Sequence, residues 1–175
     1  VLDGPADLTH PALSGAKLEI VPGVVSLATP EGPAAHHGTH VSSIIFGQHG
    51  SGVDGVAPVC RGILIPVFSD ADHGIKPCSE EELAQSIHLA VDRGAHVVNV
   101  SGGRLAADGR PGRYLGEAIR RCESEGVLVV AAAGNDGCEC HQVPAALDSV
   151  IAVGAATHEG APLDFSNWGP LYRDG

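Results

Sequence analysis

Four short runs of apolar residues, spaced along the chain, limit the folds that this sequence can adopt. They occupy residues 63–68, 97–100, 127–132 and 150–153. A continuous apolar run of this length is typical of a strand whose two faces are both covered by protein, as in a parallel sheet. The runs therefore predict buried parallel strands.

The segments between these runs have the spacing of amphipathic helices. Ser79 and Glu82 match a capping box, in which each side chain satisfies a backbone N–H at the start of a helix. Two sets of apolar residues then fall on one helical face each. They are Leu83, Ile87, Ala90 and Val91 before Gly94, and Leu115, Ala118, Ile119 and Cys122 before Gly126. Alternating strands and helices predict an α/β layered fold.

Length and composition predict one domain, residues 1–175. A chain of 175 residues can bury a sizeable core, and a hydrophobic content of 43% argues against disorder. The stretches at 47–58 and 102–112, rich in Gly and Pro, are predicted to be loops within this domain.

The charge distribution narrows the range of partners. The net charge is -11, without a cluster of Lys or Arg, which disfavours nucleic acid and anionic membrane surfaces as partners. No apolar stretch is long enough to span a bilayer, and no signal peptide is visible. We therefore expect a cytoplasmic protein, with secretion as the alternative.

The segment His-Gly-Thr-His-Val at residues 37–41 carries the main candidate for a catalytic group. The Gly-Thr step leads into a helix of small residues, which would hold the His37 imidazole at the helix start as a general base. Acyl transfer also needs a group that orients the base and a donor for the oxyanion. Asp3 ends a buried strand and is the candidate orienting carboxylate. Asn135 follows the apolar run at a turn and is the candidate oxyanion donor.

Each of these residues also has another explanation. Asp3 could cap local amides in a turn, and Asn135 could serve only as a turn residue. His36, His37 and His40 could hold a metal together with Asp3, as in a metallohydrolase. We favour a structural role for His40, and the sequence predicts neither a metal nor a cofactor.

The order of Asp3 and His37 resembles the subtilisin superfamily of serine peptidases, whose triad runs Asp, His, Ser along the chain. Three motifs carry this resemblance. Residues 37–41, 132–135 and 99–103 resemble the histidine motif, the oxyanion segment and the strand that pairs with substrate. Within the superfamily, four stretches are similar to the proteases that mature cyanobactin precursor peptides. They are residues 1–5, 43–48, 134–140 and 164–169.

The resemblance implies a three-layer subtilisin-like α/β fold, with a mostly parallel central sheet and helices on both faces. It also implies a serine endopeptidase that cleaves a ribosomal peptide precursor during maturation. His37 would take the proton of the serine, Asp3 would fix the imidazole tautomer, and Asn135 would stabilise the oxyanion. The residues expected to contact the peptide substrate are Ser101, Gly102 and Gly103 along its backbone, and Ala133 and Gly134 in its primary pocket.

Two features depart from the family pattern. Gly4 follows Asp3 where the wider superfamily usually has a hydroxyl residue, although the cyanobactin branch resembles this chain in its Asp-Gly-Pro. The nucleophile of the family lies in a Gly-Thr-Ser motif beyond the segment equivalent to residues 165–170, and no such motif occurs before Gly175. The resemblance therefore implies a domain that is incomplete at its C-terminal side. The alternative is a peptide-binding pseudoprotease that lacks the serine.

The spacing of Asp3 and His37 bears on the type of product. The macrocyclising relatives carry an additional helical insertion, and the 34 positions (37 − 3) between the two residues leave little room for one. Hydrolysis is therefore expected rather than cyclisation.

The five cysteines leave their pairing open. They are Cys60, Cys78, Cys122, Cys138 and Cys140. An odd count leaves at least one thiol unpaired within the chain. The loop that contains Cys138 and Cys140 could be bonded to Cys122, or its thiols could be free in a reducing cytosol. A metal site is less favoured, because zinc sites usually have wider cysteine spacing and four ligands.

Overall fold

The computed structural model describes residues 1–22 and 31–172. Its internal contacts divide the chain into two compact units, Val1–Glu82 and Leu83–Gly175. Each unit is described separately, and the assignment of residues 1–175 to a single domain stays a prediction.

The first unit contains a parallel sheet in the strand order β1-β3-β2. Its elements are β1 (Leu2–Asp3), a 3-10 helix (Pro11–Leu13), β2 (Leu18–Ile20), α1 (Pro33–Phe46), β3 (Gly62–Pro66), β4 (Ser69–Ala71) and β5 (Gly74–Lys76). The short β4 and β5 form an antiparallel ribbon. Ala6, Leu13, Phe46 and Leu64 pack together as a buried cluster. The predicted run at 63–68 is confirmed as a strand, displaced by one or two residues.

Helix α1 begins four residues before His37, so the prediction that His37 stands at the helix start is wrong. Pro33 occupies the first helical position, where its missing N–H costs no hydrogen bond. Asp70 Oδ1 accepts from the backbone N–H of Ala34 at 2.9 Å, so a side chain distant in sequence satisfies this end of the helix. His37 consequently lies in the second turn, where it is held by helix on both sides.

The second unit contains a parallel sheet in the strand order β6-β8-β10. After α2 (Glu80–Asp92), the elements are β6 (Val97–Val100), β7 (Arg104–Leu105), α3 (Arg113–Ser124), β8 (Leu128–Ala132), β9 (Gln142–Val143) and β10 (Val150–Val153). The antiparallel pair β7 and β9 places a short strand within the stretch 102–112, which was predicted to be only loop. The predicted strands at 97–100, 127–132 and 150–153 are confirmed.

The predicted helix signals are also confirmed. Ser79 N donates to Glu82 Oε2 at 2.7 Å, and Glu82 N donates to Ser79 Oγ at 3.2 Å, which is the reciprocal pair of a capping box. The two predicted apolar faces are buried in α2 and α3. Gly94 and Gly126 follow these helices with positive φ angles of 77° and 69°.

The two faces of the β6-β8-β10 sheet differ in burial. The side chains of one face are fully covered: Val98, Val100, Val129, Ala131, Val150 and Ala152. Four large apolar side chains of the other face are 38% to 56% exposed: Val97, Leu128, Ile151 and Val153. Val130, on the same face, is half-buried. The described residues thus cover one face of this sheet fully and the other only in part, whereas parallel sheets normally have both faces covered.

The α/β class with mostly parallel strands is confirmed. In the part of the chain that the structure describes, no helix is long and apolar enough to cross a membrane.

Candidate active site

Asp3 and His37 form a close pair in the first unit. Asp3 ends β1 with 1% of its surface exposed, and its Oδ1 lies 2.6 Å from His37 Nδ1. The same oxygen accepts from the backbone N–H of Gly4 at 2.6 Å. A carboxylate oxygen can only accept, so the proton of the neutral imidazole resides on Nδ1. The lone pair of Nε2 is then free to take a proton from a nucleophile.

The environment of His37 strengthens it as a base. The hydrogen bond with Asp3 raises the pKa of His37, while partial burial lowers it and the charge of Asp3 raises it further. The ring meets Phe68 edge to face, with centroids 6.4 Å apart. The His37 side chain is 40% exposed, so its reactive edge remains accessible.

Two glycines allow α1 to approach the end of β1. A Cβ atom on Gly4 would overlap the backbone of Ala34, and one on Gly38 would overlap the carbonyls of Gly4 and Pro5. A hydroxyl residue at position 4 therefore has no space in this arrangement, which explains the departure from the wider family pattern. Among the described residues, the second oxygen of Asp3, Oδ2, has no hydrogen-bond partner.

The predicted oxyanion segment leaves the end of β8 in the second unit. Ala133 is buried, and its N–H donates to Val153 O at 2.9 Å. Gly134 has a φ of +107°, a conformation that favours glycine, and it turns the chain. Asn135 is exposed just after this turn. An exposed amide at a strand exit has the accessibility that an oxyanion donor needs.

A buried asparagine that sequence reasoning did not select supports this turn. Asn167 is 4% exposed, its Oδ1 accepts from Asp136 N at 2.7 Å, and its Nδ2 lies 3.1 Å from Ala133 O. Asn167 belongs to the stretch 164–169, which was noted for its resemblance alone. The sequence gives no local signal for these bonds, because the partners are 31 and 34 positions away.

The cysteine loop is closed on itself. Cys138 and Cys140 form a disulfide with each other, so the suggested bond to Cys122 and the free-thiol alternative are both wrong for this pair. Cys122 is a buried free thiol, because it lies on the apolar face of α3. Cys60 and Cys78 are also free.

The predicted substrate contacts lie in the second unit. Ser101, Gly102 and Gly103 follow β6 and are partly exposed. Ala133 lines a cavity of about 400 Å³ whose walls also include Asn167, Trp168 and Tyr172. The position of Ala133 is compatible with a pocket wall, and the substrate contacts stay predictions.

The other histidines of α1 do not join the Asp3–His37 pair. His36 and His40 are exposed on the helix, whereas His37 is the residue bonded to Asp3. Within residues 1–22 and 31–172, no three His, Cys, Asp or Glu side chains are grouped so that they could hold a metal ion.

Comparisons with known proteins agree with this geometry. The model of the Subtilase family, peptidase S8, matches residues 1–174. Subtilisin Savinase of Lederbergia lenta is 36% identical over 165 residues, which cover 92% of this chain and 56% of that protein.

Two solved structures are also similar. The protease domain of PatA, a patellamide maturation protease, is 48% identical with a TM-score of 0.91, over 97% of this chain and 61% of that one. The PatG macrocyclase in complex with peptide is 30% identical with a TM-score of 0.81, over 97% and 61%. The chain thus spans about three fifths of these structures.

Proposed function

This chain belongs to the Subtilase family, and we propose on that basis that the protein containing it is a serine endopeptidase of the subtilisin type. The observation that carries the proposal is the 2.6 Å contact between Asp3 Oδ1 and His37 Nδ1. This contact gives His37 the tautomer and the basicity that serine activation requires. The proposed nucleophile is a serine outside residues 1–175.

The reaction that we propose is a two-step acyl transfer. His37 Nε2 takes the proton of the serine hydroxyl while the serine oxygen attacks the carbonyl carbon of the scissile peptide bond. The C–N bond then breaks, and the protonated His37 gives its proton to the leaving amine. A water molecule, deprotonated by His37, then attacks the acyl-enzyme. The bond to the serine oxygen breaks, His37 returns the proton to that oxygen, and the acid is released. Asp3 keeps the imidazole oriented and stabilises its cationic form.

Asn135 is the proposed donor to the oxyanion of the tetrahedral intermediate. Replacing it with alanine should lower kcat about 10²- to 10³-fold with little change in KM, because the oxyanion forms only on the reaction path. That magnitude comes from the corresponding donor of a subtilisin rather than from this structure. An unchanged kcat in Asn135→Ala would remove this role.

The substrate that we propose is a ribosomal peptide precursor, cut by hydrolysis to separate its core from a leader or follower. Similarity to a patellamide maturation protease supports this class of substrate, and identity is higher to PatA than to the PatG macrocyclase, 48% against 30%. Ribosomal precursors are made in the cytoplasm, so we place the reaction there. The peptide backbone would pair with Ser101, Gly102 and Gly103.

Product analysis tests this proposal. The full-length protein is incubated with a leader-bearing precursor peptide, and the products are separated by mass. We expect linear fragments, each cleavage adding one water. A product lighter by one water than its linear form would show cyclisation instead. Binding of the precursor without any turnover would support the pseudoprotease alternative.

A further inference from the structure

We propose that Asn167 is a positioning residue, which holds the turn at residues 134–136 so that Asn135 faces the oxyanion. The inference rests on the proposed role of Asn135 and adds to it the group that controls the donor. Asn167 itself touches no reacting atom in this account.

Asn167 bonds to the chain on both sides of Asn135. On the preceding side, its Nδ2 donates to Ala133 O at 3.1 Å, and its backbone N–H donates to Gly134 O at 3.0 Å. On the following side, its Oδ1 accepts from Asp136 N at 2.7 Å. Its Nδ2 also lies 3.0 Å from Asp136 Oδ2. One buried residue therefore fixes the backbone immediately before and after the donor.

Two other side chains also hold the backbone that precedes Asn135, whereas Asn167 bonds to the backbone on both sides of Asn135. Tyr172 OH lies 3.0 Å from Ala133 O, and Gln142 Nε2 donates to Ala132 O at 3.0 Å. Both bonds hold the exit of β8, before Gly134. The bonds of Asn167 to Asp136 extend the restraint past Asn135. Further along, Gly137 N donates to Phe165 O at 2.8 Å, so the bonds of Asn167 are the ones adjacent to the donor.

The arrangement requires an amide at position 167. Both hydrogens of an amide nitrogen can donate while its oxygen accepts, and here Nδ2 faces two oxygens while Oδ1 faces an N–H. Aspartate has the same shape but no donor, and its second oxygen would face Ala133 O and the Asp136 carboxylate. Gly134 is packed so closely that a Cβ atom there would overlap Asn167 Nδ2, so the turn has little space in which to relax.

Kinetics of the full-length protein test the proposal. Asn167→Asp and Asn167→Ala should each lower kcat about 10- to 100-fold, and kcat should change by a larger factor than KM, because a displaced donor weakens the transition state more than substrate binding. Thr157→Ala is the matched control. Thr157 Oγ1 accepts from Glu159 N and Ala161 N in another turn of the same unit, so its loss should leave kcat unchanged.

A double-mutant cycle separates positioning from general stability. In an Asn135→Ala background the donor is gone, so adding Asn167→Ala should lower kcat no further, within about twofold. If Asn167→Ala lowers kcat in that background by the same factor as in the otherwise wild-type protein, the positioning role is overturned while the donor role of Asn135 stays intact. An unchanged kcat in Asn135→Ala alone would contradict both the donor role of Asn135 and the positioning role of Asn167.

Hydrogen exchange provides a test that does not depend on variants that fold poorly. In the wild-type full-length protein, the Asp136 amide should be protected from exchange although Asp136 is exposed, because it donates to Asn167 Oδ1. Rapid exchange of that amide would contradict the proposed restraint.

Discussion

One hydrogen bond, between Asp3 Oδ1 and His37 Nδ1, governs the protonation chemistry of the proposed site. It raises the pKa of His37 above the ordinary histidine value of about 6.5. A base must be neutral to accept a proton, so kcat/KM should rise with pH through this raised pKa. The contribution of this hydrogen bond to folding stability depends on pH in the opposite direction. It is complete below the unfolded-state pKa of His37 and is lost as pH rises through the raised folded-state pKa.

Replacing Asp3 with asparagine tests this coupling. Without the carboxylate, the pKa of His37 should fall, and the acidic limb of the kcat/KM profile should move to lower pH. The kcat should drop about 10⁴-fold, because an amide at position 3 can stabilise the wrong tautomer. Asp7→Asn is the control, since Asp7 is exposed and its carboxylate accepts hydrogen bonds from Thr9 rather than from His37. An acidic limb at the same pH in wild type and Asp3→Asn would refute the coupling.

The cysteines yield a second prediction at the scale of single residues. Alkylation of the denatured full-length protein should label, within residues 1–175, three cysteines before reduction and five after it, because Cys138 and Cys140 are bonded. In the native protein Cys60 should react first, since it is exposed. Desolvation raises the pKa of Cys78 to about 11 and Cys122 is buried, so both should react slowly. Five labels before reduction would contradict the disulfide.

At the scale of elements, the proposed base depends on how closely α1 approaches β1. Asp3 stands at the end of β1 and His37 in the second turn of α1, so the two elements must nearly touch for the hydrogen bond to form. Gly4 and Gly38 permit this approach because neither carries a Cβ atom. The close approach of helix and strand at this point therefore depends on the absence of two side chains rather than on apolar packing.

Replacing a glycine with alanine should have opposite effects on the free energy of unfolding in α1 and in α3. Gly38→Ala forces a methyl group into the backbone of Gly4 and should destabilise the full-length protein by about 1–3 kcal/mol. In Gly116→Ala, within α3, the added methyl group meets only the flexible end of the Arg120 side chain and the ring of Pro111. This substitution should stabilise the full-length protein by about 0.5–1 kcal/mol. Denaturant unfolding measures both. Equal effects of the two substitutions would show that the α1 approach is not tight.

The elements were predicted best where their signals are local. The strands and the faces of α2 and α3 follow from short apolar patterns, and the capping box of Ser79 and Glu82 lies within four residues. The start of α1 was misplaced because Asp70, which satisfies Ala34 N, is 36 positions away. Asn167 was overlooked for the same reason. Asp3, His37 and Asn135 were selected because their order resembles a known family, which local patterns alone do not reveal.

At the scale of the molecule, the described residues provide parts of the proposed reaction in two compact units. The first contains the Asp3–His37 pair, and the second contains the turn at Asn135. In the second unit, four large apolar residues on one face of the β6-β8-β10 sheet are 38% to 56% exposed. The chain spans about three fifths of the solved relatives, so the catalytic activity belongs to the proposal for the whole protein.

The most direct test of the central claim is the rate at which a fluorophosphonate probe, which reacts with activated serines, labels the full-length protein. Wild type should be labelled on a single serine outside residues 1–175, and His37→Ala should lose labelling by several orders of magnitude. The loss of kcat on removing this histidine from a subtilisin is on the order of 10⁶, which sets the scale. His36→Ala is the control and should label like wild type, because His36 is exposed and distinct from the residue bonded to Asp3. Equal labelling of wild type and His37→Ala would contradict the account.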